Sequence, residues 1–148
     1  MSARGQVYVA MVRAINVAGR PLLMADLRAL IETLPAEEVS TYLQSGNAVF
    51  RSAAPNAAAV AGAASARISS HLGTKVAVMV RGADDLARVV AHNPLASGGR
   101  DESKLHVTFL ASEPGRDRAA ALGATVPGAG DDLFKADGRE VYLYCPDG

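Results

Sequence analysis

The order of strand-like and helix-like patterns in the first 80 residues is the feature that most constrains the fold. A continuous apolar run at residues 7–12, with β-branched members, is typical of a strand buried on both faces. Five apolar residues then share one helical face, and Pro35 ends that helix. They are Met24, Leu27, Leu30, Ile31 and Leu34. The next segments, 39–43 and 48–51, are predicted to be strands.

A helix and a strand complete this first part of the chain. The alanine-rich segment 56–72 predicts a helix that ends at Gly73, and residues 75–80 predict a fourth strand. Ser45-Gly46-Asn47 tolerates positive φ, so a hairpin is expected between the second and third strands. The order strand, helix, strand, strand, helix, strand is that of a ferredoxin-like unit.

The remainder of the chain follows part of the same order. After a helix at 84–91 and a glycine-rich loop, residues 104–111 alternate as in a strand and 116–122 form a short helix. Segments 132–135 and 140–144 then flank an Asp-Gly turn and predict a hairpin. We therefore predict an α+β fold of two ferredoxin-like halves, with the second half incomplete.

The predicted halves are residues 1–82 and 83–148, with Arg81-Gly82 as a linker. An incomplete second half leaves one apolar sheet face without a helix to cover it. We expect this face to pack on the first half or on a second copy of the chain, which makes a homodimer a predicted partner. Depending on the register of the strands, the candidate residues for this face are Phe109, Leu133, Val141 and Leu143.

Composition narrows the classes of function. Lysine plus arginine equals aspartate plus glutamate at 15 each, which argues against a surface dominated by nucleic-acid binding. The single cysteine, Cys145, cannot form an internal disulfide, and no apolar run reaches the roughly 18 residues that a membrane helix needs. We therefore expect a cytoplasmic protein with no membrane partner. The dispersed His71, His92 and His106 have no ligand spacing, so no metal site is predicted.

Polar residues follow the first strand and fill the turn between the second and third strands. In a ferredoxin-like sheet the first and third strands are antiparallel neighbours, so both polar stretches should lie at one edge. The first helix also begins there with unpaired N–H groups, and Thr74-Lys75 opens the fourth strand on the same side. The candidate binding residues at this edge are Arg13, Asn16, Arg20, Gln44, Ser45 and Asn47.

Two interpretations of this edge remain open. Convergent donors suit a phosphate, a carboxylate or the edge of a nucleotide. Alternatively, the same side chains cap backbone groups and shape turns. The chain has no Walker loop and no assignable pair of nucleophile and base, so we predict a binding module for an anionic small molecule or nucleotide. No cofactor and no catalytic residue can be assigned.

Nucleic-acid binding is a further alternative, because RNA-recognition domains share this fold and place aromatic rings on the first and third strands. Tyr8 stands where one ring is expected. However, Asn47 and Val49 occupy the other positions, and Phe50 points to the opposite face. RNA binding on the open sheet face is therefore disfavoured.

The segments RAINVAGRPLLMADLRALIETL and TYLQSGNAVFRS, followed in order by VRGADDLARVVAHNPL, KLHVTFLA and REVYLYCPDG, resemble a bacterial family known as domain of unknown function 1697. The resemblance covers essentially the whole chain and implies two ferredoxin-like halves, but no established activity. Family members usually have glycine at the positions of Ala14 and Ala18. They also continue into a segment with an arginine-asparagine-tryptophan-asparagine-threonine motif that has no counterpart here. An enzyme completed by such a tail is therefore an alternative function.

Overall fold

The computed structural model describes residues 5–16, 19, 21–42, 45–124 and 132–147. By its internal contacts the chain divides into two compact units, Met1–Arg88 and Val89–Gly148. This division falls inside a helix, Ala83–Ala91, which follows the last strand of the first unit without a loop. The division at residue 82 that the sequence suggests stays a prediction.

The first unit contains four strands and two helices before that connecting helix, which we call α3. They are β1 (Gln6–Val12), α1 (Met24–Glu32), β2 (Ala36–Tyr42), β3 (Asn47–Ser52), α2 (Ala57–Leu72) and β4 (Val78–Gly82). The strands form one antiparallel sheet in the order β2-β3-β1-β4. Helices and antiparallel sheets make this an α+β protein, and the element and strand orders are consistent with a ferredoxin-like unit.

The core of this unit lies between the sheet and the two helices. Alternate residues of β1 and β3 are buried, including Tyr8 and Phe50, whose ring centroids are 6.2 Å apart. The Tyr8 hydroxyl donates to the carbonyl oxygen of Ala54 at 3.1 Å, which satisfies its polar end inside the core. From the helices, the buried residues are Leu27 and Ile31 of α1 and Val60, Ala64 and Ile68 of α2.

Helix α2 is capped at both ends and holds the chain segment that leads into β4. The Asn56 side chain accepts from the backbone N–H of Ala59 at 2.9 Å, and Gly73 ends the helix with φ +68°. The hydroxyl of Ser65 donates to the carbonyl oxygen of Val76 at 2.5 Å, and the N–H of Val76 donates to Oγ of Ser69 at 2.9 Å. Helix α2 therefore fixes the position of residue 76.

Besides the end of α3 and a short 3₁₀ helix, Glu102–Lys104, the described residues of the second unit form three strands and a helix. They are β5 (Leu105–Phe109), α4 (Arg116–Ala124), β6 (Leu133–Asp137) and β7 (Glu140–Tyr144). The strands pair antiparallel in the order β5-β7-β6, which corresponds to β1-β3-β2 of the first unit.

Before β5, the carboxylate of Asp101 accepts from Oγ and N of Ser103 at 2.8 and 2.9 Å, and these bonds hold the pKa of Asp101 below its ordinary value.

The register of the second sheet separates the four apolar residues that we expected on one uncovered face. Phe109 and Leu133 lie on one face of the sheet, whereas Val141 and Leu143 lie on the other. Leu133 is 38% exposed, and the other three are half-buried. The register therefore divides the four candidates between the two faces of this sheet.

Candidate functional site

The two polar stretches lie side by side at one end of the first sheet. Met11 is opposite Asn47 in the register, and the N–H of Val12 donates to the carbonyl oxygen of Gly46 at 2.9 Å. On the other side of β1, the N–H of Arg13 donates to the carbonyl oxygen of Ala77 at 3.0 Å. The end of β1 is thus bonded both to the β2–β3 turn and to the segment that leads into β4.

A cleft of about 360 Å³ opens beside Arg13, and we call it the cation cleft. It is lined by Arg13, Ala14, Lys75, Val76 and Ala77. Both cationic side chains are exposed, and none of the described lining residues carries a carboxylate. Within the described part of the chain neither Arg13 nor Lys75 takes part in an ion pair. The cleft therefore has a local positive charge on a chain whose formal net charge is zero.

The two walls of the cation cleft are held in place by backbone bonds. The bond from Arg13 to Ala77 joins the walls, and the serine hydroxyls of α2 fix residue 76 between them. Lys75 was expected at this edge of the sheet but was not among the predicted binding residues. The signal that could have included it is its position at the opening of the fourth strand, opposite the end of the first.

Asn16 closes the loop that leads to α1. Its Nδ2 donates to the carbonyl oxygen of Leu22 at 3.0 Å, and its Oδ1 accepts from the N–H of Leu22 at 2.7 Å. Asn16 has φ +56°, a conformation that asparagine tolerates better than most residues. The amide therefore performs the turn-shaping role that the sequence left open as an alternative.

Ser45 and Asn47 shape the β2–β3 turn. Nδ2 of Asn47 donates to the carbonyl oxygen of Tyr42 at 3.1 Å and to Oγ of Ser45 at 3.0 Å. Gly46 between them has φ +94° and packs against the side chain of Ile15. The remaining predicted binding residues, Arg20 and Gln44, lie outside the described residues, and a ligand-binding role for the whole set stays a prediction.

Tyr8 does not lie on the open face of the sheet, as the RNA-recognition alternative required. It is 1% exposed and faces the helices together with Phe50, which is opposite it in the register. Residues directly opposite each other on adjacent strands share a face of the sheet. Because Phe50 faces the core, Tyr8 faces the core as well. Neither ring of this pair is available to stack on a base.

The described residues contain neither a side-chain group for a metal ion nor a membrane-spanning helix. Among the described residues, no three histidine, cysteine, aspartate or glutamate side chains are grouped closely enough to hold a metal ion. Cys145 is a half-buried free thiol. In the described ranges, no helix is both long and apolar enough to cross a membrane.

Comparison with known proteins places the chain in a family. The model of the family "Protein of unknown function (DUF1697)" matches residues 6–142, so the chain belongs to this family. The solved structure of the conserved bacterial protein SP0830 from Streptococcus pneumoniae is similar, with a TM-score of 0.76 and 22% identity over 96% of this chain and 77% of that chain. This similarity shows a shared fold. No curated protein matches the chain. The family and the solved structure establish no specific function.

Proposed function

We propose that the protein is a binding module that holds an anionic small molecule or nucleotide in the cation cleft. The observation that carries the proposal is the presence of two exposed cations, Arg13 and Lys75, in a cleft whose described lining has no carboxylate. A guanidinium can bond two oxygens of a phosphate or carboxylate in parallel, and an ammonium supplies a compact second charge. A ligand with a terminal phosphate satisfies both cations.

In this proposal the predicted binding residues divide into two roles. Arg13 contacts the ligand, with Lys75 added to the set. Asn16, Ser45 and Asn47 act indirectly, because their side chains bond the loops on either side of the end of β1. The cleft is open to solvent, so its attraction for anions should weaken as salt is added.

Thermal unfolding in the presence of a panel of nucleotides and phosphorylated metabolites tests the proposal. A ligand at 100 times its dissociation constant adds about 2.7 kcal/mol to the free energy of unfolding. We expect at least one panel member to raise the midpoint, and Arg13→Ala and Lys75→Ala to reduce that rise. Arg67→Ala, which removes an exposed cation from α2, is the matched control and should leave the rise unchanged. No shift with any compound, or equal shifts in all three variants, would contradict the proposal.

A second copy of the chain is the proposed protein partner. The second sheet supports this, because among the described strands β5 pairs on one side only, with β7. A strand edge of this kind can pair with another strand.

A cytoplasmic location is part of the same proposal, since the single cysteine, Cys145, is a free thiol.

A further inference from the structure

An exposed aromatic ring lies at the same end of the first sheet as the cation cleft. Tyr42, the last residue of β2, is 66% exposed. It is opposite Asn47, which is opposite Met11, which is opposite Met79. These four residues therefore form one row across all four strands, which we call the end row. The residues that follow Met11 and Asn47, Val12 and Ala48, are buried. The end row thus lies on the face of the sheet opposite the helices.

The end row leads from the ring toward the cations. Strands in a sheet are about 4.8 Å apart, so Tyr42 lies about 10 Å from β1. Arg13 is two residues beyond Met11, which adds about 7 Å along the strand direction. The backbones of Tyr42 and Arg13 are therefore about 12 Å apart, and both side chains are exposed. Between them, Met11 and Asn47 are half-buried.

The backbone of Tyr42 is held by the hairpin. Nδ2 of Asn47 donates to the carbonyl oxygen of Tyr42, and the two residues pair in the register of β2 and β3. An exposed aromatic ring on a strand held in this way offers a stacking surface for a flat heterocycle. The cation cleft itself contains no aromatic residue, so a ligand held there alone has no such surface.

We infer that the ligand of the cation cleft is a nucleoside phosphate, whose phosphate is held by Arg13 and Lys75 and whose base stacks on Tyr42. This inference rests on the proposed anion-binding function and narrows the ligand to one class. A base, its sugar and a phosphate together span the distance between a side chain reaching from Tyr42 and one reaching from Arg13. Stacking on one aromatic side chain strengthens binding by roughly 5- to 150-fold.

Isothermal titration with three probes tests the inference: adenosine monophosphate, ribose 5-phosphate and inorganic phosphate. We expect adenosine monophosphate to bind more tightly than ribose 5-phosphate by roughly 5- to 150-fold. Tyr42→Ala should remove that difference, whereas Tyr42→Phe should keep it. Arg13→Ala should weaken the binding of both compounds. Leu23→Ala, which trims another exposed apolar side chain, is the control and should leave the ratio unchanged.

The outcomes separate the inference from the function on which it rests. If ribose 5-phosphate and adenosine monophosphate bind equally well and both depend on Arg13, the nucleoside inference is overturned and the anion-binding proposal stands. If Tyr42→Ala binds adenosine monophosphate as tightly as the unchanged protein does, the inference is overturned as well. If none of the three probes binds, both are overturned. Circular dichroism of each variant checks that the fold is retained, which is expected because Tyr42 and Arg13 are exposed.

Discussion

Gly46 is the residue at which the two polar stretches of the chain are packed most closely. Its φ of +94° lies in a region that residues with a side chain rarely adopt. A Cβ atom there would lie 2.5 Å from Cδ1 of Ile15 and 3.2 Å from Cβ of Val12, both of which belong to buried residues. We expect Gly46→Ala to lower the free energy of unfolding by about 2–4 kcal/mol, because backbone strain and overpacking add. Urea unfolding measures this.

Gly62 provides the control for this substitution. It lies in α2, is exposed, and has open space around the position of a Cβ atom. Gly62→Ala should therefore raise the free energy of unfolding by about 0.5–1 kcal/mol, since alanine is the better helix former. If Gly46→Ala were as stable as the unchanged protein, the close packing of the turn on the end of β1 would be refuted.

Ala14 is one of the residues without glycine's freedom that adopt a positive φ in this chain. It has φ +53°, a conformation that costs an alanine about 1–2 kcal/mol. We expect Ala14→Gly to raise the free energy of unfolding by up to about 1 kcal/mol, because part of the relief is offset by the greater freedom of glycine in the unfolded chain.

The matched control for Ala14→Gly is Ala58→Gly, on the exposed surface of α2. This variant should lose about 1 kcal/mol in the same urea experiment, since its backbone is already helical. A loss of similar size in Ala14→Gly would show that Ala14 is not strained. The glycine that the family resemblance implies at this position agrees with the observed φ.

Individual residues also show where sequence reasoning stops. The meeting of the two polar stretches was predictable, because it follows from strand order alone. The hydrogen-bond partners of Asn16 and Asn47 were not predictable. An asparagine that bonds a nearby backbone group cannot be distinguished in the sequence from one that binds a ligand. Arg81 was expected in a linker but lies in β4 and is 2% exposed. A charged residue can be buried where its charged group is hydrogen-bonded. In Arg81, Nη1 donates to the carbonyl oxygen of Val80, and this bond cannot be predicted from the sequence.

At the scale of the elements, the helices were easier to predict than the strand ends. Asn56 and Gly73 mark the ends of α2 in the sequence, and they cap it in the structure. Strand β4, in contrast, begins at Val78 and not at residue 75. The sequence predicts residues 75–77 as part of this strand. In the structure, the backbone of Val76 is hydrogen-bonded to the serines of α2 and lies before the start of β4. The local sequence does not reveal these bonds.

The strand edges differ in how they are protected against pairing with another chain. Strand β2 has a register shift between Glu37 and Ser40, with Glu38 at φ +54°, and a bulge of this kind discourages pairing. Strand β6 carries the exposed charges of Lys135 and Asp137. Strand β5, with the sequence LHVTF, has no lysine, arginine, aspartate or glutamate, no proline and no register shift.

The outward backbone groups of β5 can be identified from its bonds to β7. The carbonyl oxygen of Lys104 accepts from Cys145, and the N–H of Leu110 donates to Arg139. Residues with even numbers therefore face β7, and Leu105 and Val107 direct their backbone groups to the other side. We expect β5 to pair antiparallel with β5 of a second copy, because a strand without lysine, arginine, aspartate or glutamate places no like-charged pair of these residues opposite each other when it pairs with itself.

Light scattering over a dilution series tests this pairing. The unchanged protein should shift from dimer to monomer as it is diluted, and Val107→Pro should be monomeric throughout, because proline removes an outward N–H. Ala136→Pro, at an outward position of β6, is the control and should leave the dimer intact. A monomer at every concentration of the unchanged protein would contradict the proposed partner.

At the scale of the whole molecule, the main hydrophobic core lies entirely in the first unit. The buried cluster begins at Tyr8 and ends at Val80, so it is complete before the predicted boundary at residue 82. In the second unit, the buried hydrophobic residues among those described are Val89 and Tyr142. The predicted order of elements in both halves agrees with the structure because it depends on hydrophobic periodicity, which the sequence contains in full. The position of the boundary depends on tertiary contacts, and the sequence does not show these contacts.

Fragments of the chain test where the first unit ends. We expect residues 1–82 to unfold in urea with one cooperative transition, because the fragment keeps all four strands, both helices and the whole buried cluster. A fragment of 83–148 should show no such transition, since a chain of 66 residues buries too small a share of its surface to be more than marginally stable. Circular dichroism and tyrosine fluorescence, which reports on Tyr8 in the core, should give the same midpoint for 1–82. If only a longer fragment, 1–91, unfolds cooperatively, then α3 belongs to the first unit and the boundary lies beyond residue 82.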